Sequence, residues 1–117
     1  DMGQGTRIVD WRLANDSTIR EAFYETDADQ TNRFFLGLLL DPVGFRNLVV
    51  AEHGLLNTAY PDRYKRFIVA GDISHTALQS QLFQTQEANG TRLADWTWDF
   101  LRARPGWLDI VEDAVVP

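Results

Sequence analysis

The chain has 117 residues and a mass of 13.4 kDa, with 44% apolar and 12% aromatic residues, which is the composition of one packed globular domain and excludes a disordered chain. A net charge of −6 and an isoelectric point near 4.7 repel phosphate backbones and anionic membrane surfaces, so neither nucleic acid nor an acidic bilayer is an expected partner. Without cysteine there is no disulfide, thiolate metal site or cysteine nucleophile in these residues. The longest mostly apolar run, Phe34 to Leu40, falls far short of the roughly 20 residues that a spanning helix needs. Asp1 precedes Met2, and the expectation is a processed, tagged or excised product.

Residues 1–18 mix Gly, Asp, Asn and Ser around Arg7–Trp11 and read as loop. Ile19 to Thr26 alternates apolar and acidic residues with a period of two, the pattern of a strand, with Asp27 at its C-terminal end; a short helix after Ser17 fits almost as well. Asp29 to Leu40 is predicted helical, with Phe34, Phe35, Leu38 and Leu39 on one side. Asp41-Pro42 restarts the chain as an N-cap followed by proline at the first helical position. Apolar residues at helical spacing from Phe45 to Ala59 then predict a long helix ending near Tyr60-Pro61.

Arg66 to Ala70 is a compact apolar run closed by Gly71-Asp72, as in a parallel strand buried on both faces. Asn89-Gly90 predicts a turn. Thr91 to Arg104 carries Leu93, Trp96, Phe100 and Leu101 at helical spacing before Pro105-Gly106, and residues 108–117 read as a loose acidic tail. The order of strand, helices, strand and helix favours an α/β layer arrangement over a single segment, 1–117. So few strands make no covered parallel sheet alone. The chain is expected either to pair with copies of itself or to be the end of a larger sheet.

The segment Gly71-Asp72-Ile73-Ser74-His75-Thr76 leads from the buried strand into a histidine. In open α/β sheets, sites form at the C-terminal ends of strands. His75 follows one candidate strand there and Asp27 follows the other, 48 positions earlier. A carboxylate that accepts the imidazole N–H fixes its tautomer while the other nitrogen takes a proton from a nucleophile. Asp72 and Asp29 are rivals to Asp27 as the acid; their structural roles would be a turn cap and a favourable charge at a helix start. None of Ser17, Ser74 and Ser80 lies in Gly-x-Ser-x-Gly, so a serine nucleophile is missing.

Asp27-Ala28-Asp29-Gln30 resembles the Asp-x-x-Gln motif of the pectin acetylesterase and Notum-type carboxylesterases, and Gly71–Thr76 resembles the histidine segment of their bacterial members. Leu82-Phe83, Asn89-Gly90-Thr91, Leu93 and Asp95-Trp96 resemble the bacterial pattern that follows, so the likeness spans roughly 20–108. Gln84 stands where those relatives usually have tyrosine. The resemblance implies the C-terminal part of an α/β-hydrolase three-layer sandwich that lacks the N-terminal strands and the nucleophile elbow. It also implies Asp27 as triad acid, His75 as base, a serine on a companion N-terminal polypeptide, an ester substrate, no cofactor and a secreted enzyme.

Other residues have plainer readings. His53, beside Val49 and Leu56 on the long helix, is expected to be a partly buried helix residue; Glu52, His53, Asp72 and His75 lack metal-ligand spacing. Trp96 and Trp98 read as helix-packing residues, with an exposed Trp98 as a candidate for a partner surface. Asn15-Asp16-Ser17 and Asn89-Gly90-Thr91 match glycosylation sequons, which matter only in a secreted eukaryotic chain. The competing hypothesis is an acidic binding module in which Asp27 and His75 are structural and the amphipathic helices form the interface. It predicts a stable cooperative monomer, whereas the hydrolase reading predicts a chain that is unstable alone or dimer-seeking.

Overall fold

Three parallel strands organise the chain. The computed structural model describes residues 4–77 and 81–115. Strand β1 (Glu21–Thr26) pairs in parallel with β2 (Tyr64–Val69), and β2 pairs in parallel with β5 (Ile110–Val111), in the order β1-β2-β5. The remaining elements are α1 (Gln4–Asn15), α2 (Gln30–Phe35), α3 (Pro42–Ala59), the single turn α4 (Leu82–Thr85), the two-residue strands β3 (Glu87–Ala88) and β4 (Thr91–Arg92), and α5 (Leu93–Leu101). The α/β class expected from the sequence is observed.

Pleating sends alternate residues of β1 and β2 to opposite faces of the sheet. Phe67 and Val69 join Leu93, Trp96, Trp107 and Ile110 in a buried cluster under α5, with Ala22 and Tyr24 packed against it. On the other face Tyr64 packs with Leu13 and Leu56, and Ile68 with Phe45 and Val49, under α1 and α3. A strand buried on both faces must be apolar nearly throughout, which is why Phe67-Ile68-Val69 was readable as one.

Where the sequence was locally explicit, the elements match it. Asp41 caps α3 by accepting from the Gly44 N–H at 2.8 Å, Pro42 follows at the first helical position, and α3 ends at Ala59. Asn89 (φ 49°) and Gly90 (φ 81°) form the turn between β3 and β4, both in the left-handed region that two-residue hairpins demand.

Three expectations are corrected. Residues 4–15 are helix, not loop: Thr6 and Leu13 are buried while Ile8 and Trp11 face solvent, so the buried stripe has too few apolar residues to show a period. The helix expected over 29–40 stops at Phe35, where Leu36 and Gly37 (φ 72°) end it, and Phe34 and Phe35 are exposed. The tail is not loose throughout, because Ile110–Val111 joins the sheet. Asp109 fastens that short strand: its carboxylate accepts from the Arg66 backbone N–H at 2.7 Å and from the Arg66 guanidinium at 3.1 and 2.7 Å.

Strand β1 is an edge. Among the described residues no strand lies beyond it. The N–H groups of Glu21 and Asp27 point toward β2 and its flanks, to Arg63 O and Val69 O. By the alternation of a parallel ladder, the backbone groups of Ala22 and Tyr24 therefore turn to the open side.

Candidate functional site

The site forms where the loops after β1 and β2 run together. Asp27 N–H donates to Val69 O, Ala28 N–H to Asp72 O and Gln30 N–H to Ile73 O, so the two segments are zipped backbone to backbone just past the sheet. The Thr26 hydroxyl, fully buried, donates to Ser74 O and holds the second loop down. Asp72 accepts from the Ser74 N–H at 2.7 Å, the turn-capping role expected for it. Burial pushes its carboxyl up, but the bonds from Ser74 and Gln86 outweigh that and hold it below the ordinary carboxylate range.

This zipper decides which carboxylate meets His75. Asp27 does not. Its side chain accepts from Arg46 Nη1 at 2.8 Å and from the Gly71 N–H at 2.9 Å, and Arg46 also donates to Glu112 O at 2.6 Å. Asp27 therefore ties β1 to α3 and to the Gly71 turn. Asp29 is the residue at the histidine, with Oδ2 2.8 Å from His75 Nδ1. The contact with His75 expected of Asp27 is made by Asp29, two positions on, because the N–H groups of Ala28 and Gln30 are fixed to the neighbouring loop and carry the intervening side chain of Asp29 toward it.

Asp29 is fully buried and is also the N-cap of α2, accepting from the Asn32 N–H at 2.9 Å and from Asn32 Nδ2 at 3.1 Å. Burial pushes its carboxyl up, yet hydrogen bonds from Glu25, from the Asn32 backbone and from His75 outweigh it and hold the group below the ordinary range. His75 itself has 45% of its side-chain surface exposed, and its Nε2 has no hydrogen-bond partner among the described residues. A neutral ring held this way carries its proton on Nδ1 and presents the Nε2 lone pair.

Beside His75 lies a cavity of about 350 Å³ lined by Tyr24, Ala77, Leu93, Trp96, Phe100 and Leu101 among others. Its walls are mainly apolar. The Tyr24 hydroxyl is buried without a hydrogen-bond partner among the described residues. Burial, with Asp72, Glu25 and Asp29 nearby, pushes its pKa up to about 12, so it stays a neutral donor.

No described serine completes a triad. Ser17 lies in the turn before β1, at the opposite end of the strand, and the Ser74 hydroxyl bonds Asp72. Ser80 lies outside the described residues. Gln30 is exposed, and it is its backbone, not its side chain, that helps to order the loop.

His53 is a half-buried helix residue, as expected. Its ring stacks on Phe23 at 3.6 Å and its Nδ1 is hydrogen-bonded to the Tyr64 hydroxyl at 2.6 Å. Burial pushes its pKa down to about 4. Trp96 is buried and Trp98 half-exposed, with the Arg102 guanidinium 4.2 Å above its ring. Among the described residues no group of three or more His, Asp and Glu is placed to hold a metal ion, and no helix is long and apolar enough to cross a membrane. Sequence reasoning missed Glu25, buried at the foot of the Asp29 cap, because in an alternating strand it looked like a solvent-facing residue.

Comparison with protein-family models, with curated proteins and with solved structures yields no match for this chain.

Proposed function

We propose that this chain is the C-terminal, acid-and-histidine-bearing part of a serine carboxylesterase of α/β-hydrolase type, with Asp29 rather than Asp27 as the acid. The observation that carries the reading is the Asp29–His75 pair at the C-terminal ends of two adjacent parallel strands, with no partner on Nε2 among the described residues and an apolar cavity beside the ring. In that role His75 Nε2 takes the proton of a serine as its oxygen attacks the ester carbonyl. It then returns that proton to the departing alcohol, and the acyl-enzyme is released by water along the same route. Asp29 holds the ring and stabilises the imidazolium. The serine and the oxyanion donors come from a companion segment, and the open side of β1 is the edge to which its sheet would pair.

Native and denaturing intact-mass analysis tests the reading first. A companion polypeptide with a Gly-x-Ser-x-Gly segment is expected. The assembled protein should hydrolyse p-nitrophenyl esters, and His75→Ala should lower turnover by several orders of magnitude, as triad losses do. Near-normal turnover by that variant removes His75 from the mechanism. A lone, cooperatively folding 13.4 kDa monomer favours the binding-module reading instead, for which the exposed Phe34, Phe35 and Leu40 would supply the contact surface.

A further inference from the structure

Glu25 is 4% exposed, yet it projects from β1 into the layer beneath α2. Its Oε1 accepts from the Thr26 N–H at 2.9 Å and its Oε2 from Asn32 Nδ2 at 2.8 Å. The same Asn32 amide reaches Asp29 Oδ2 at 3.1 Å, so the two buried carboxyl groups sit side by side on one amide. Two carboxylates held this close and away from water do not both stay charged. One of the pair is an acid, and the bonding pattern says which. Asp29 already accepts from the Asn32 backbone, the Asn32 side chain and His75, three donors that favour its charged form.

We propose that Glu25, in its protonated form, is a positioning residue that donates a hydrogen bond to the Asp29 carboxylate and so holds Asp29 Oδ2 on His75 Nδ1. The inference rests on the pairing of Asp29 with His75 described above. The proton stays on the Glu25 oxygen, Asp29 stays ionised, and His75 keeps its proton on Nδ1. Burial first, and the Asp29 contact second, push the Glu25 pKa up to about 9, in keeping with a group that is neutral while Asp29 is charged. The titratable and charged groups around Glu25 are Asp29 at the N-cap of α2, and Glu52 and His53 on α3 facing the same hollow, with His75 on the other side of Asp29. Thr6 of α1 donates to Glu52 at 3.0 Å on the far side of that hollow. Once Glu25 ionises, a second negative charge stands against Asp29 and the relay loosens.

The test is a pH titration by NMR of the full chain, with 13C-labelled glutamate and 15N-labelled histidine. In the unsubstituted protein, one glutamate side-chain carboxyl carbon should titrate near pH 9, and the His75 ring nitrogens should show an alkaline step at the same pH. Glu25→Gln keeps an N–H donor toward Asp29 with no proton to lose, so the Nδ1–H resonance of His75 should persist at neutral pH while the alkaline step vanishes. Glu25→Leu keeps the bulk and removes the donor, and the Nδ1–H resonance should shift or be lost. The His53 ring signals report whether each variant is folded. An ordinary carboxylate titration for Glu25 in the unsubstituted protein overturns the proposal without any variant. So does an alkaline step that survives in Glu25→Gln, or a His75 ring unchanged in Glu25→Leu. None of these readings needs an ester, so an inactive assembly would count against the hydrolase reading alone, and a failed titration would count against Glu25 alone.

Discussion

Asp27 and Asp29 are two residues apart and both buried, but the structure gives them separable jobs, and substituting each in turn should dissociate stability from chemistry. Asp27→Ala removes the partner of Arg46 and the acceptor of the Gly71 N–H. Stranding one member of a buried ion pair costs roughly 3–5 kcal/mol. Arg46 has 16% of its side chain exposed and keeps its bond to Glu112 O, so the expected loss is at the low end, about 3 kcal/mol. For a chain of 117 residues that lowers Tm by roughly 10 °C. Asp29→Asn should cost only about 1 kcal/mol, because Asn caps a helix as well as Asp does and still accepts from the Asn32 N–H. Its amide cannot both cap and accept from His75 as a carboxylate does, so the His75 proton moves to Nε2, the nitrogen needed as base. Thermal denaturation gives the first quantity and long-range 15N–1H correlation of the imidazole rings gives the second. In an assembled esterase, Asp29→Asn should lower kcat by ~10⁴, the penalty of a wrong tautomer, and Asp27→Ala by no more than ~10-fold below its melting range. A His75 ring that responds to Asp27→Ala and ignores Asp29→Asn would refute the assignment.

Three further outcomes are expected. With its folded pKa lowered to about 4 from an ordinary 6.5, His53 is neutral in the folded chain while the unfolded chain takes up a proton. Stability from this group is thus present above pH ~6.5 and lost as pH falls toward 4, by ~2–3 kcal/mol, and denaturant titrations across that window should show the slope flattened in His53→Gln. Asp109→Ala removes both the guanidinium bonds and the backbone cap that hold β5 to β2, and should cost about 2–3 kcal/mol, with hydrogen exchange at Ile110 and Val111 rising before that at Phe67 and Ile68; unchanged exchange would show that β5 is held by packing alone. Gly71→Ala places a Cβ at φ 74° and 2.9 Å from Val115 Cγ2, and should lower stability by ~1–2 kcal/mol in denaturant melts.

Local signals carried much of the fold. The Asp41-Pro42 cap, the 3.6-residue spacing from Phe45 to Ala59, the apolar run from Arg66 to Ala70 and the Asn89-Gly90 turn each depend on a few neighbouring residues, and each is formed within a few residues of where the sequence placed it. Such features are legible because caps, periods and left-handed turns are set within one or two turns of chain. The meeting of His75 with the Asp27–Asp29 segment was legible for a related reason, since both lie in the loops that follow strands.

What the sequence could not decide is anything that depends on elements brought together from a distance. Which aspartate meets His75 turned on a loop-to-loop ladder from Asp27, Ala28 and Gln30 to Val69, Asp72 and Ile73, and spacing along one segment contains no trace of its register with another. The same holds for β5, two residues whose place in the sheet depends on the Arg66–Asp109 bonds, and for α1, whose burial of Thr6 and Leu13 needs α3 as its partner. Glu25 was invisible as a buried acid because alternation predicts two faces, and only the helices packed on both show that neither faces water. Sequence alone determined the elements with strong local chemistry and the end of the sheet at which to look. Tertiary structure decided which carboxylate touches the histidine, because hydrogen bonds between distant segments, not neighbours in sequence, aim buried side chains.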